Sequence, residues 1–530
     1  MISKEYIVVG GGIAGLTAAV YLSRAKKDTV LIEKNESCGG LMNSFEKEGF
    51  HFEGGARALV NSGLVVPMIE ELGIDLRFLP NPVSIGVEDH LFKVTGEESL
   101  IEYSALLKRL YPASASEVDV LIHEIKGVIK DLKVLYGVDN PLFTKSAKGL
   151  SLIPSVLKWL LKFIHTIYRI KKLNIPMEEF FQSRLSNRSL IDVFSQHFFK
   201  GTPSFFTLCY FALYNDYLYP AGGVGVFTQK IREKIDEYGG QVMTNTEIGK
   251  IFPGQKIVED TDGKRYQYEK LIWAADLKKL YSILEVDDLP GKIQKRIKKE
   301  MLPILASKGA ESVFTVFIAT DQSPQELSAL TSGHIFYTPS RKGLGETFKA
   351  HLKSILENWH STSKQQVYDW LGTFCELNTY EVSIPAMRDP ALAPQGKAAV
   401  IISCLMDYSL VERIEKDGWY EEFKITFENK IIELFSNTIL PSLKDKIIFK
   451  LSASPLTLYR TVGSSEGSIV GWSFEQAIPV ASSMLKMGTS VKTAIPDVFK
   501  AGKWAFSPAG GPTAIMTGRL AAKLASKQLH

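Results

Sequence analysis

A chain of 530 residues is longer than one simple hydrophobic core accommodates, so two or more domains are expected. Hydrophobic residues make up 45% and charged residues 23%, mean hydropathy is +0.01, and no repeat or low-complexity block is present, which excludes a disordered or fibrous protein. A formal net charge of +4 gives no global basis for nucleic-acid binding, and Cys38, Cys209, Cys375 and Cys404, scattered without a CxxC pair, fit neither a zinc site nor a disulfide framework.

The first strand-like run begins almost at Met1, with no charged and apolar leader before it, so a reducing cytoplasm is the expected location. EYIVVGGGIAGLTAAVYLSRAKKDTVLIEKN predicts a strand over Tyr6–Val9, a glycine turn, a small-residue helix to about Lys26 and a second strand over Thr29–Glu33. Gly10, Gly12 and Gly15 fill GxGxxG between that strand and helix, with Ile13 and Ala14 at the helix start. The glycines permit the tight turn and let backbone approach a pyrophosphate, to which the helix N-terminus offers unpaired N–H groups. Glu33 stands about twenty residues beyond, where a carboxylate accepts ribose hydroxyls and disfavours a 2′-phosphate. A dinucleotide site is expected, and glycine pairs at Gly39–Gly40 and Gly54–Gly55 bring backbone close to something twice more.

Residues from about Glu98 to Asn215 read as apolar helices. In SVLKWLLKFIHTIYRIKK, Lys158, Lys162, His165, Arg169 and Lys172 form a basic face opposite Val156, Trp159, Leu160, Phe163, Ile164 and Ile167. Charge interrupts it too often for a membrane span; it reads as an interfacial helix or as a helix covering the core. Seven Phe and Tyr residues follow between Phe205 and Tyr219, as core filling or as walls for a long apolar substrate.

Beyond YPAGGVGVF, a helix carrying Ile231, Ile235 and Tyr238 leads into strand QVMT, and turns at Pro253–Gly254 and Asp262–Gly263 mark a β-meander before LIWAAD. RIKKE, Arg296 to Glu300, reads as a solvated helix face. Ser312–Thr320, His334–Ser340 and Lys397–Leu405 suggest a mixed sheet of a second domain. No HExxH, GxSxG or clustered His/Cys set occurs, so no metal site is expected and a bound cofactor must carry any redox chemistry.

Gly10 to Gly15, Glu33, Gly39–Gly40 and the block Gly49, Phe50, Phe52, Glu53, Gly55 resemble the FAD domain shared by amine oxidases, carotenoid desaturases and their relatives. YPAGG (Tyr219 to Gly223) and the tail VFKAGKWAFSPAGGPTAIMTGRLAA resemble the phytoene-desaturase, carotenoid-isomerase and retinol-saturase-like branch. The resemblance implies an α/β chain with a discontinuous, Rossmann-like FAD-binding domain of the glutathione reductase type over 1–97, 215–285 and 481–530. It adds a mixed-sheet substrate domain over 286–480 and a helical subdomain over 98–214, a candidate membrane-contacting lid.

It also implies FAD as cofactor, with Lys34, Leu41, Ala56, Arg57, Ile248, Gly502, Gly510, Gly511, Pro512 and Thr513 joining the residues above in holding it. Ile248 would offer its backbone to the adenine. Lys503 stands where many members carry Asp. The flavin would carry hydride transfer, and Arg57, Tyr459 and Glu466 are the polar candidates beside it. The implied function is oxidoreduction at C–C or C=C bonds of a carotenoid, retinoid or similar isoprenoid, as desaturase, saturase or cis–trans isomerase, with peripheral membrane contact. A flavin amine oxidase and a non-catalytic prenyl-lipid escort of the same fold are the alternatives.

Overall fold

The computed structural model describes residues 2–96, 98–136, 153–483 and 486–527. Ile2–Val9 is the middle strand of a parallel array, paired with Thr29–Ile32 on one side and Arg265–Trp273 on the other. Gln241–Met243 extends the first edge, and Val498–Lys500 pairs in parallel with Arg265–Trp273. The apolar runs Tyr6–Val9 and Thr29–Ile32 are fully buried, as a parallel sheet covered on both faces requires.

Tyr6, Val8, Leu31, Ile272 and Phe499 pack into one layer with helices Ile13–Arg24, Gly225–Glu237 and Gly511–Lys527. Ile7, Val9, Val30, Ile32, Leu271 and Trp273 fill the other, where Ile248–Phe252 and Ile257–Asp260 continue the sheet as antiparallel strands. Helix Gly291–Ala306, grouped by sequence with the substrate domain, sends Ile297 and Ile304 into this second layer. Its apolar stripe is satisfied by the sheet beside it, whichever domain follows in the chain.

A second sheet runs in the order Ile447–Ala453, Ser312–Thr320, Ala398–Met406, Tyr380–Ser383, His334–Thr338, Val83–Val87, His90–Val94. The last two strands lie within 1–97, the segment expected in the cofactor domain, yet they hydrogen-bond here; Val83–Val87 runs parallel to His334–Thr338. A hairpin is written in its own turn, whereas the sheet it joins depends on a partner far along the chain. Side chains alternate across this sheet. Phe314, Val316, Ile318, Ile335, Tyr337, Val382, Val400 and Ile402 are buried with residues of helices Lys364–Leu377 and Tyr420–Ser436. Thr315, Phe317, His334, Phe336, Glu381, Ser383 and Ser403 fall on the opposite face.

Helices Ser99–Leu110, Ala115–Tyr136, Arg188–Ser195 and Ser204–Leu213 enclose a third core containing Tyr103, Leu107, Phe194 and Phe211. Helix Ile153–Lys172 docks on Ala115–Tyr136 through Thr166 and Arg169, both 3.4 Å from Asp131. Ile164, assigned by sequence to its apolar side, is 56% exposed and Tyr168 58%. The side chains of Val156, Lys158, Trp159 and Leu160 lie outside the described residues. No described helix is long and apolar enough to cross a membrane.

Helix Gly511–Lys527 crosses Ile13–Arg24 so closely that a Cβ on Gly518 would stand 2.3 Å from the Ala14 carbonyl oxygen. Gly518→Val is therefore expected to cost about 1–3 kcal/mol, read as a lower urea midpoint than wild type. An unchanged midpoint would mean that the two helices slide apart freely.

Candidate functional site

Three backbone contacts shape the front of the site. Gly10 has φ +104°, and a Cβ there would sit 2.9 Å from the Ala274 carbonyl group; a Cβ on Gly15 would overlap the Gly10 carbonyl oxygen at 1.8 Å. A Cβ on Gly12 meets nothing within 4 Å, so the turn opens onto free space at that point. Gly12 is also the N-cap of helix Ile13–Arg24, with no side-chain cap and no acidic residue in the first turn. The first-turn N–H groups at Ile13, Ala14 and Gly15 thus have no side-chain acceptor, which fits a pyrophosphate.

Glu33, 8% exposed, accepts the Gly11 N–H at 2.6 Å through Oε2 and the Asn35 N–H at 2.9 Å through Oε1. Each oxygen keeps a lone pair, as a ribose diol would need. Thr246 N–H donates to the Glu33 carbonyl, and this brings buried Ile248 beside the same corner. Lys34 turns away: its Nζ donates to the Arg460 carbonyl at 3.2 Å.

The remaining loops close in from behind. Gly39 N–H donates to the Gly11 carbonyl at 2.8 Å, and a Cβ on Gly40 would stand 3.3 Å from the Gly12 Cα. Leu41 accepts the Ala56 N–H, leaving 2.1 Å for a Cβ on Gly55. Gly502, φ +91°, donates to Thr517 Oγ1 at 3.0 Å and lies against Ala14. Gly511, next to Pro512 at the start of the tail helix, lies against Met42, and the Gly510 N–H donates to Thr513 Oγ1 at 2.8 Å. Front and tail thereby meet around two neighbouring helix N-termini.

Lys503 serves the walls instead. Burial pushes its ammonium down to about 8 against the pull of Asp276, and its Nζ donates to the Ser468 carbonyl at 2.6 Å. Glu466, in a left-handed conformation (φ 51°), pairs with Lys278 at 2.7 Å and accepts the Gly309 N–H at 3.0 Å. Tyr459 is 48% exposed, its ring against Tyr408. Neither belongs to the polar group that faces the substrate sheet.

That group is built around Arg57, the third candidate. Its guanidinium, 4% exposed, donates to the Glu53 carbonyl and, at 2.7 Å, to Ser403 Oγ. Burial lowers its pKa, opposed by Glu381 and Glu53. Glu53 accepts the Tyr219 hydroxyl and, at 3.3 Å, that of Ser383; Arg388 donates to Ser383 and lies 3.8 Å over the Tyr219 ring. His334, fully buried, is 2.9 Å from Glu381 through Nε2, while a third of the Glu381 side chain stays accessible. Burial depresses His334 and keeps its imidazole neutral. Burial alone would raise Glu381, but the His334 hydrogen bond and the charges of Arg57 and Arg388 outweigh it and hold it below the usual carboxylate range.

Sequence reading missed Glu381, His334, Ser383, Ser403 and Arg388. A period-two signal exists in YEVS, where Glu381 and Ser383 alternate with buried Tyr380 and Val382; HIFYT is buried throughout and carries none. Beyond the island the face is aromatic: Tyr217 stacks on His334 at 5.4 Å, and Tyr214 on Phe336 at 5.2 Å.

Residues 8–72 match the model of an NAD(P)-binding Rossmann-like domain. The chain is 21% identical to the inactive all-trans-retinol 13,14-reductase of Danio rerio, over 94% of this chain and 83% of that protein. It is 24% identical to a chloroplastic prolycopene isomerase 1 of an Oncidium hybrid cultivar, over 88% and 75% respectively. Among solved structures, a triple mutant of putrescine oxidase superposes with TM-score 0.61 at 12% identity, covering 100% of this chain and 99% of that one, a likeness of fold.

Glu381 is more acidic folded than unfolded, so its stabilisation is complete above the ordinary value of 4.5 and is lost as pH falls through the folded one. Glu381→Gln is expected to lower unfolding free energy by about 1 kcal/mol at pH 7. The gap should narrow below pH 4.5 in urea titrations; a gap independent of pH would assign the effect to packing.

Proposed function

We infer that this chain is an FAD-dependent oxidoreductase acting on C–C or C=C bonds of a long apolar isoprenoid, a carotenoid or retinoid, by desaturation, saturation or cis–trans isomerisation. The observation that carries the reading is a glycine-walled, uncapped dinucleotide cradle joined to a substrate face that is aromatic outside one polar island. Relatives named all-trans-retinol 13,14-reductase and prolycopene isomerase, matching over most of the chain, support it.

The first turn at Ile13–Gly15 would hold the pyrophosphate, Glu33 the adenosine ribose and the backbone at Ile248 the adenine. The loops Gly39–Leu41 and Gly55–Arg57 and the helix start at Gly510–Thr513 would enclose the flavin end. Bound FAD supplies hydride chemistry. The chain supplies position and dryness: Tyr217, Tyr214 and Phe336 offer flat apolar surface to a polyene and exclude water from it. Glu381 Oε1, hydrogen-bonded to His334 Nε2, is the accessible carboxylate that takes or returns a proton at the substrate.

The reading includes peripheral contact with a bilayer. Helix Ile153–Lys172 exposes Ile164 and Tyr168 beside Lys162, His165, Lys171 and Lys172, the composition of an interfacial helix. Ile164→Glu with Tyr168→Glu is expected to reduce co-sedimentation with phosphatidylcholine–phosphatidylglycerol liposomes several-fold with flavin content unchanged. Equal sedimentation would remove this helix from the interface.

The function itself is tested by anaerobic incubation of the flavin-loaded protein, oxidised and reduced, with phytoene, lycopene isomers and retinol, read by product mass and isomer. A change of mass by two hydrogens or of isomer is expected for at least one substrate. No change in any, with peroxide released from amines in a separate aerobic assay, would move the chain to the amine oxidases that share its fold.

A further inference from the structure

A narrow cavity lies between the helical core and the second sheet. Ile85, Phe336 and Thr338 form its floor, and over it lie Phe194 and Tyr210 from helices and His197 from the turn after Arg188–Ser195. The same aromatic series that borders the polar island leads to it: Tyr217 donates to Tyr210 at 2.8 Å, and Phe336 lies 5.6 Å from His334 on one side and 5.8 Å from His197 on the other.

One polar atom in this wall is unaccounted for. Gln196 Nε2 donates to Thr379 Oγ1 at 2.9 Å, and Thr379 and Thr338 share a hydrogen bond of 2.7 Å, so these groups satisfy one another. His197 Nε2 is buried with no partner among the described residues, its ring held against Phe198 at 4.0 Å. Burial pushes the imidazole down to about 4 despite the distant pull of Glu381, so at neutral pH the ring is uncharged. A buried nitrogen left without a partner is costly, and an incoming oxygen that pairs with it recovers that cost, whereas a hydrocarbon does not. A neutral ring also suits an uncharged oxygen better than a carboxylate or phosphate.

We propose that this cavity is the subsite for the far end of the isoprenoid and that His197 selects a terminus bearing a hydroxyl or carbonyl oxygen. The proposal rests on the isoprenoid reading above and adds to it a preference among isoprenoids. Of the described cavity-lining residues, His197 carries the buried nitrogen left without a partner, and the hydroxyls of Tyr103 and Tyr214 stand in the same lining.

The test is equilibrium binding of all-trans-retinol and of its deoxy counterpart, with hydrogen in place of the hydroxyl, to the full-length flavin-loaded protein, followed by protein fluorescence quenching. Wild type is expected to bind retinol about five- to tenfold more tightly, the ratio falling to about one in His197→Leu and staying above it in His197→Gln. The Gln variant, which keeps a polar group at the position, guards against loss of fold in the Leu variant, and the wild-type ratio stands without either. Equal wild-type affinities, or a preference kept by His197→Leu, would overturn the proposal while leaving the isoprenoid reading intact. Binding of neither ligand would overturn both.

Discussion

The site depends on one buried cation. Arg57 leaves a loop of the cofactor cradle and ends on Ser403, in the middle of the second sheet, with its other bond on the Glu53 carbonyl. A guanidinium this deep needs opposing charge nearby, which Glu381 and Glu53 supply, although its Nε is buried without a partner among the described residues. Because its fork is planar and its partners sit in different domains, Arg57 fixes the spacing between cradle and substrate face. Tyr219, Arg388 and Ser383 complete the tie, each bonding to a group that Arg57 already orders.

The island is balanced. Two carboxylates face two guanidiniums, and His334 adds no charge at neutral pH. The group is therefore locally polar with little net field.

Much of the cradle was legible because its constraints are local. Gly10, Gly12 and Gly15 lie between a strand and a helix, Glu33 ends the next strand, and the closing glycines at Gly502 and Gly510–Gly511 repeat the logic at the tail. At Gly10, Gly15 and Gly55 neighbouring backbone leaves no room for a Cβ, so residue type alone carries the message there. The substrate face was not legible, because Glu381 and His334 look like ordinary strand residues until pairing decides which side of the sheet they face. Nonlocal pairing also explains the Val83–Val94 hairpin, and Lys503, which occupies a position of the cofactor motif while tying down a wall loop.

The order of strands in the first sheet also governs how the protein is made. Ile2–Val9 pairs with Arg265–Trp273, so this strand waits for about 255 further residues to be synthesised before that partner begins. At about 5–20 residues per second that interval is on the order of ten to fifty seconds. Throughout it, the strand's apolar face and hydrogen-bonding edge have no native cover on that side. The glycine turn that follows Ile2–Val9 is thus synthesised early, while the sheet that braces it is completed only with Arg265–Trp273.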